Sequence, residues 1–267
     1  MICFPNAKIN LGLNVTGVRN DGYHTIETIF YPIPLCDALE IVPSDTTKFT
    51  QTGLSLDSTP MENLVMKAHT AISKKYDIQP MDIYLKKAIP SKAGLGGGSS
   101  DAVFMLKFIN KLCKLNIMDS ELGEYALHLG SDCSFFLKNK PVIATGTGSE
   151  FTDIDISLKG YTIYVIKPQV SISTKEAYDA IKPKRSIFSL LELPTIPISE
   201  WKNILVNDFE PYAFKKYPII KEIKETLYRK GAEYASMTGS GSAVFGLFKN
   251  TISPQFNNCF VWKGTLD

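Results

Sequence analysis

Alternating apolar and polar residues open the chain and predict a half-buried β-strand over residues 4–15. Its two faces consist of Ala7, Ile9, Leu11, Leu13 and Val15 on the apolar side and Asn6, Lys8, Asn10, Gly12 and Asn14 on the polar side. The turn residues 20–22 and the β-rich stretch 25–31 that follows predict a hairpin.

Helical periodicity predicts helices over 63–76, 99–115, 120–129 and 217–230. Short apolar runs predict strands near 39–42, 83–85, 142–144, 161–166 and 243–248, and another at 135–137. Helices and mainly antiparallel strands in mixed order indicate an α+β fold. We expect strand 161–166 to open a second lobe, so that the domains are 1–157 and 158–267.

Composition and charge are those of an ordinary cytoplasmic globular enzyme. Hydrophobic residues make up 44% of the 267-residue chain and charged residues 21%, and no apolar run approaches the length of a membrane span. A net charge of +2 gives no reason to expect nucleic-acid or membrane binding. The five scattered cysteines form no C-x-x-C pair, which favours a reducing compartment over a disulfide framework or a zinc site.

A glycine-rich loop at residues 90–101, with the sequence PSKAGLGGGSSD, carries the strongest chemical signal. Four glycines within residues 94–98 let the backbone bend tightly, and the apolar helix that follows would point its N-terminus at a ligand. The stretch therefore predicts a phosphate-binding loop. It is not a P-loop, because no Lys follows the glycines. It does not match the dinucleotide-binding fingerprint either, because Ser99 stands where that pattern has its last glycine. A flexible linker is the alternative, which the apolar helix makes less favourable.

Three further groups of residues carry candidate chemistry. Lys8 and Asn10 share one face of the first strand and could bind phosphoryl oxygens and a hydroxyl, although the strand alone favours a solvated face. Asp132 could accept a proton, orient an alcohol or bind Mg²⁺, or it could be a simple helix cap. The second glycine loop, 236–242, is read equally well as an anion site or as a connection to a core strand.

Aromatic side chains at two places could bind a nucleobase. Tyr23 and His24 lie at the predicted hairpin tip, and Tyr178 lies on a short helix whose capping box begins at residue 173. A pair of rings can sandwich a base, whereas a single tyrosine is more often a packing residue.

In this order, these segments resemble the GHMP kinases. The loop 90–101 is similar to that superfamily's second motif, and 236–242 is similar to its third. Segments 5–11 (PNAKINL) and 20–24 (NDGYH) resemble the member that phosphorylates a cytidine-diphosphate derivative of methylerythritol, in the non-mevalonate route to isoprenoid precursors. The resemblance extends from Pro5 to Phe248.

The resemblance implies a fold, co-substrates and site residues. The fold would have two lobes, the first similar to domain 2 of ribosomal protein S5 and the second ferredoxin-like, with ATP and Mg²⁺ as cofactors. Lys8 and Asp132 would be catalytic. The ATP phosphates would be bound by Pro90, Ser91, Lys92, Ala93, Gly94, Leu95, Gly96, Gly97, Gly98, Ser99 and Ser100. The substrate would be bound by Asn10, Tyr23, His24, Thr174 and Tyr178.

In this arrangement Tyr23 and Tyr178 would stack on the two faces of cytosine while His24 contacts its polar edge. The resemblance thus implies a small-molecule substrate and no nucleic-acid or membrane partner, in a monomer or homodimer. The sequence departs from the family pattern at Ser134, where a proline is usual, and at Val103, where an alanine is usual; 185–197 matches nothing.

Two alternatives remain at this stage. Another small-alcohol kinase of the superfamily, for homoserine or mevalonate, would have no need of the aromatic residues at 23 and 178. A non-catalytic nucleotide- or RNA-binding protein on the same fold would not need Lys8 together with Asp132, and would be expected to show a basic stripe.

Overall fold

The structure is a computed structural model that describes residues 1–55, 59–186, 188–253 and 255–267. Its strands β1 to β12 are Ile2–Cys3, Asn6–Val18, His24–Cys36, Ala38–Pro43, Lys48–Gly53, Met81–Lys87, Val142–Thr145, Glu150–Asp153, Thr162–Pro168, Tyr234–Met237, Val244–Phe248 and Cys259–Thr265. Its helices α1 to α7 are Leu64–Ser73, Gly97–Leu112, Asp119–Leu129, Cys133–Lys138, Thr174–Asp179, Glu210–Lys216 and Pro218–Arg229. Short 3₁₀ helices cover Pro60–Glu62, Leu190–Thr195 and Ile198–Asn203. The predicted α+β class is confirmed.

The chain forms two compact units whose segments alternate along the sequence. The first unit consists of Met1–Ala7, Leu35–Ser91 and Gly96–Lys140. The second unit consists of Lys8–Pro34, Lys92–Leu95 and Pro141–Asp267. The domain boundary predicted between residues 157 and 158 stays a prediction.

The first unit packs helices α1 to α4 together beside a four-stranded sheet. The sheet has the order β1-β4-β6-β5, with β4 antiparallel and β5 parallel to β6. Helix α2 lies at the centre of the helical layer, where it packs against α1, α3 and α4. Nine of its sixteen residues are buried, which fits the predicted apolar helix. Val103 is one of these buried residues, so its larger side chain is accommodated in the core.

The strand predicted at 135–137 is wrong, because these residues belong to helix α4. The run Phe135-Phe136-Leu137 is too short to show either periodicity, and its apolar content fits a buried helix as well as a strand. Phe135 and Phe136 are both buried, and α4 packs against α2 and α3. Tertiary packing therefore decides the conformation of this segment.

The second unit contains two four-stranded sheets and helices α5 to α7. One sheet has the order β2-β3-β7-β8 and the other has the order β10-β11-β9-β12. A core cluster that includes Leu13, Val15 and Ile26 from the first sheet also includes Tyr164 and Ile166 from the second. Helix α7 adds Ile220, Ile223 and Leu227 to this cluster. This packing fixes β2, which carries Lys8 and Asn10, against the rest of the unit.

Candidate functional site

The face of β2 predicted to be half-exposed is buried. Lys8 is 3% exposed and Asn10 1% exposed, so the alternative of a solvated face is wrong for these two residues. Burial of polar groups is tolerated only when they are hydrogen-bonded or paired. Both side chains meet this condition.

Lys8 and Asn10 form a hydrogen-bonded pair. Lys8 Nζ donates to Asn10 Oδ1 at 2.7 Å and lies 4.8 Å from the centre of the Phe30 ring. Asn10 Nδ2 donates to Thr28 Oγ1 at 3.0 Å, and Thr238 Oγ1 accepts from Asn10 N at 3.1 Å. The ammonium of Lys8 is therefore held in one place by β2, β3 and the second glycine loop.

Residues 92–95 of the first glycine loop lie against both Lys8 and the second glycine loop. Leu95 O accepts from Lys8 N at 2.9 Å, and Gly94 O lies 3.1 Å from Thr238 Oγ1. A Cβ atom at Gly94, whose φ is +77°, would lie 1.9 Å from Thr238 O. One at Gly241 would lie 2.1 Å from Gly94 N. Only glycine permits this backbone approach, which brings the two loops together beside Lys8.

The remainder of the predicted phosphate loop begins helix α2 in the first unit. Gly96 occupies the N-cap position with a φ of +71°. Glycine has no side chain to accept hydrogen bonds from the first turn, so the N–H groups there suit an anion. A Cβ atom at Gly97 would lie 2.7 Å from Ile89 Cγ2, so this turn also packs closely on the chain that precedes the loop.

Asp132 lies in the first unit, immediately before α4, and is half-buried. Its neighbour Cys133 contacts Ser99 of the predicted phosphate loop through a side-chain hydrogen bond. This contact holds the Asp132 turn beside the start of α2. Burial raises the pKa of the Cys133 thiol to about 11, so the thiol stays protonated and unreactive at neutral pH. Ser134, at the family's usual proline position, is the second residue of α4.

A buried ionic cluster lies under the start of α2 in the first unit. Lys87 Nζ forms ion pairs with Asp37 Oδ2 and, at 2.6 Å, with Asp101 Oδ2. Asp37 Oδ1 also accepts from the backbone N–H groups of Ala88 and Ile89. The cluster thus joins the end of β6, the β3–β4 connection and the first turns of α2. Sequence reasoning missed it because these three residues are far apart along the chain.

Burial dominates the electrostatics of this cluster. It raises the pKa of Asp101 to about 7, with Asp37 adding to the rise and Lys87 opposing it. Burial alone would lower the pKa of Lys87, but Asp101 and Asp37 hold it above its ordinary value. Asp101 Oδ1 is buried with no hydrogen-bond partner among the described residues, so this oxygen does not help to stabilise the ionised carboxylate, in agreement with the raised pKa.

The predicted base-binding residues of the second unit are partly brought together. The rings of His24 and Tyr178 lie 4.8 Å apart, and Tyr178 packs edge-on against Phe209 at 4.9 Å. Tyr23 is 67% exposed at the hairpin tip. Thr174, the first residue of α5, has its hydroxyl 3.3 Å from Ser240 Oγ of the second glycine loop. Cytosine stacking between Tyr23 and Tyr178 stays a prediction.

Comparisons with known proteins identify the family of this chain. The family model for the GHMP kinase N-terminal domain matches residues 63–140, and that for the C-terminal domain matches residues 193–255. A 4-diphosphocytidyl-2-C-methyl-D-erythritol kinase from Parabacteroides distasonis is 55% identical over 100% of both chains. The chain belongs to the 4-diphosphocytidyl-2-C-methyl-D-erythritol kinase family of the GHMP kinases.

Solved structures of kinases in this superfamily share the fold of the chain. The crystal structure of a 4-(cytidine 5'-diphospho)-2C-methyl-D-erythritol kinase matches with a TM-score of 0.79 and 28% identity, covering 100% of this chain and 99% of that one. A homoserine kinase from Cytophaga hutchinsonii matches with a TM-score of 0.66 and 17% identity, covering 99% and 94%, and shares the fold alone. The predicted two-lobed kinase fold and the use of ATP are confirmed.

The predicted site residues thus fall into three groups in this kinase. Lys8 and Asn10 are in contact, His24 and Tyr178 are in contact, and Asp132 lies one residue from the cysteine that touches Ser99. Sequence reasoning missed Thr238, which joins the second glycine loop to Asn10. The sequence alone could not show this contact, because the burial that makes the Thr238 hydroxyl need a hydrogen-bond partner comes from the fold. None of the described helices has the length and apolar character needed to span a membrane.

Proposed function

We propose that this kinase transfers the γ-phosphoryl group of ATP to the 2-hydroxyl of 4-diphosphocytidyl-2-C-methyl-D-erythritol. The observation that carries the proposal is the buried Lys8–Asn10 pair, held by Thr28 and Thr238. A cation that is fixed in position and shielded from water stabilises developing charge better than a solvated one, because no reorganisation is needed during the reaction.

Lys8 would neutralise the phosphoryl oxygens as the group moves. Phosphoryl transfer passes through a loose transition state, in which positioning and charge compensation matter more than strong base catalysis. Asn10 Oδ1 accepts one of the three Lys8 N–H bonds, which aims the ammonium. Asp132 would orient the substrate hydroxyl and accept its proton.

Residues 90–100 would bind the ATP phosphates through their backbone. The left-handed conformations of Gly94 and Gly96 turn the chain tightly, and Gly97 begins α2. The first-turn N–H groups of a sixteen-residue helix and its dipole then favour the phosphate charge.

Mg²⁺ is expected to enter with ATP. No group of three His, Cys, Asp or Glu side chains is placed to hold a metal within the ranges that the structure describes. Magnesium in kinases is commonly bound by substrate phosphates and water with one or two carboxylates, so ATP would itself supply part of the ligand set. When bound, the ion would neutralise phosphate charge.

Cytosine would be recognised at the β2–β3 hairpin. Tyr178 is fixed between His24 and Phe209, which prepares one ring face, and the exposed Tyr23 would cover the other face of the base. A preordered ring lowers the entropic cost of stacking. Thr174 would contribute a hydroxyl beside this pocket. The kinase would act in the cytoplasm as a monomer or homodimer, without nucleic-acid or membrane partners.

A coupled ADP-release assay with a panel of alcohols tests this function. The panel contains 4-diphosphocytidyl-2-C-methyl-D-erythritol, methylerythritol 4-phosphate, homoserine and mevalonate, each with ATP and Mg²⁺. ADP should appear rapidly only with the cytidine derivative. Faster turnover of homoserine or mevalonate would assign the chain a different alcohol, and no release with any of the four would leave it a binding protein.

A further inference from the structure

The segment Asn207–Glu210, called here the 207–210 segment, runs beside β2 at the end of the candidate site. It follows the 3₁₀ helix Ile198–Asn203 after three residues and ends at the first residue of α6. Leu13 N donates to Val206 O at 2.8 Å, and Asp208 N donates to Leu13 O at 2.9 Å. The segment is therefore attached to β2 just beyond Asn10.

The Asn207 side chain uses all of its hydrogen-bonding groups. Asn207 is 2% exposed, and its Nδ2 donates to Met237 O and to Gly239 O, each at 2.9 Å. Its Oδ1 accepts from Phe209 N at 3.0 Å. A single amide thus fixes the two carbonyl groups on either side of Thr238.

Thr238 passes this constraint to the Lys8–Asn10 pair. Its buried hydroxyl lies 3.1 Å from Asn10 N, 3.2 Å from Asn10 Oδ1 and 3.1 Å from Gly94 O. Asn10 Oδ1 in turn accepts from Lys8 Nζ at 2.7 Å. Asn207 is thus linked to the ammonium of Lys8 in two steps: it bonds the carbonyl groups on either side of Thr238, and hydrogen bonds then lead from Thr238 through Asn10 to Lys8.

We propose that Asn207 is a positioning residue for phosphoryl transfer, which sets the place of Lys8 by holding the backbone around Thr238. The inference rests on the proposed function, because it takes Lys8 as the group that compensates phosphoryl charge. Asn207 acts only through Thr238 and Asn10. A misplacement of about 1 Å at the reacting groups can cost on the order of 100-fold in rate.

Two neighbours of Asn207, Asp208 and Phe209, have connections different from its own, which makes the segment suitable for a test. Glu210 does not serve as a control, because its Oε1 also accepts from Met237 N at 2.9 Å, beside Thr238. Phe209 packs against Tyr178 at 4.9 Å, on the side of the predicted cytosine pocket. Asp208 Oδ2 accepts from Val15 N at 2.8 Å, in the part of β2 that leads away from Lys8. Asp208 therefore provides a control that loosens the same segment without a bond to the residues around Thr238.

Steady-state kinetics of Asn207→Leu tests the proposal. We expect kcat to fall about 10- to 100-fold while KM for the cytidine substrate changes less than about threefold, because binding contacts remain. The control Asp208→Ala should keep kcat within about twofold of the parent even if its unfolding midpoint drops, because it leaves Lys8 in place. Equal kcat losses in both variants would reduce Asn207 to a merely structural role. If Asn207→Leu does not fold, Asn207→Ser must show the same loss of kcat at nearly constant KM, and an unchanged kcat overturns the proposal.

A double-mutant cycle with Thr238→Val identifies the route of the effect. If Asn207 acts through Thr238, Asn207→Leu should lower kcat by less than about twofold further in the Thr238→Val background. Fully multiplicative losses would contradict this route. Two further results separate the claims: a parent enzyme without activity on the cytidine substrate refutes the proposed function, and an active Lys8→Met enzyme refutes the role of Lys8 on which the inference rests. An inactive Lys8→Met enzyme beside a fully active Asn207→Leu enzyme refutes only the role of Asn207.

Discussion

Single residues in this kinase are constrained most strongly where the two glycine loops touch. Gly94 adopts a left-handed conformation, and the space beside its Cα is filled by Thr238 O. Gly160 has a similar φ of +84°, but a Cβ atom added there would meet nothing within 4 Å. A substitution at Gly160 therefore measures the cost of a left-handed backbone alone, whereas one at Gly94 adds the cost of a steric clash.

Gly160→Ala should destabilise the protein by about 1–2 kcal/mol, which is the cost of a left-handed conformation for a residue with a Cβ atom. Gly94→Ala should cost more, because the new atom would also force the backbone around Thr238 to move. It should weaken ATP binding as well, whereas Gly160→Ala should leave ATP affinity unchanged. Urea unfolding and ATP titration measure both effects. Equal stability losses, with ATP affinity preserved in Gly94→Ala, would contradict the close approach of the loops.

Elements of the first unit are joined by the Lys87 cluster. Lys87 ends β6, Asp37 lies between β3 and β4, and Asp101 lies in the first turns of α2. Two buried carboxylates share one ammonium, so this cluster depends on its lysine. Removal of one partner from a buried ion pair leaves a charge without compensation.

Lys87→Met should therefore destabilise the protein by about 3–5 kcal/mol at neutral pH. The surface pair Lys75–Glu121 is the control, because its Lys75 Nζ lies 2.7 Å from Glu121 Oε1 and is well exposed. Lys75→Met should cost less than about 1 kcal/mol. Urea unfolding gives the free energy of unfolding of both variants and so compares the two losses. A similar small loss in both would show that the cluster does not hold the start of α2.

The stability of this unit should also depend on pH through Asp101. Its pKa is about 7 in the folded protein and near 3.8 in the unfolded chain, so folding takes up a proton between these values. The contribution of Asp101 to the free energy of unfolding is fully present below about pH 4 and is lost as pH rises through about 7. Asp101→Asn, which stays neutral, should lack this loss. The unfolding free energy of the parent should fall relative to that of Asp101→Asn between pH 5 and pH 8. If the difference between the two proteins stays constant over this range, the raised pKa of Asp101 is contradicted.

At the scale of the whole molecule, the sequence predicted the elements that carry the chemistry better than the contacts between them. Periodicity and glycine spacing were sufficient for β2, α2 and α7, because each has a long apolar face or an unusual backbone requirement. They failed for α4, whose short apolar run takes its conformation from packing. They also failed for Asn207, whose partners lie thirty or more residues away. The roles proposed for Lys8 and Asp132 come from the family resemblance, because local patterns could not distinguish them from a solvated face and a helix cap.

The most direct test of the central claim is the rate of a single turnover on 4-diphosphocytidyl-2-C-methyl-D-erythritol in Lys8→Met and Asp132→Asn. Phosphorus NMR would identify the new phosphomonoester at the 2-oxygen, and titration with a non-hydrolysable ATP analogue would report nucleotide binding. We expect both variants to transfer the phosphoryl group slower by about 1,000-fold or more, with nucleotide affinity within about threefold of the parent. Transfer at near-normal rate in either variant would contradict the assignment of that residue, and in both it would contradict the account as a whole.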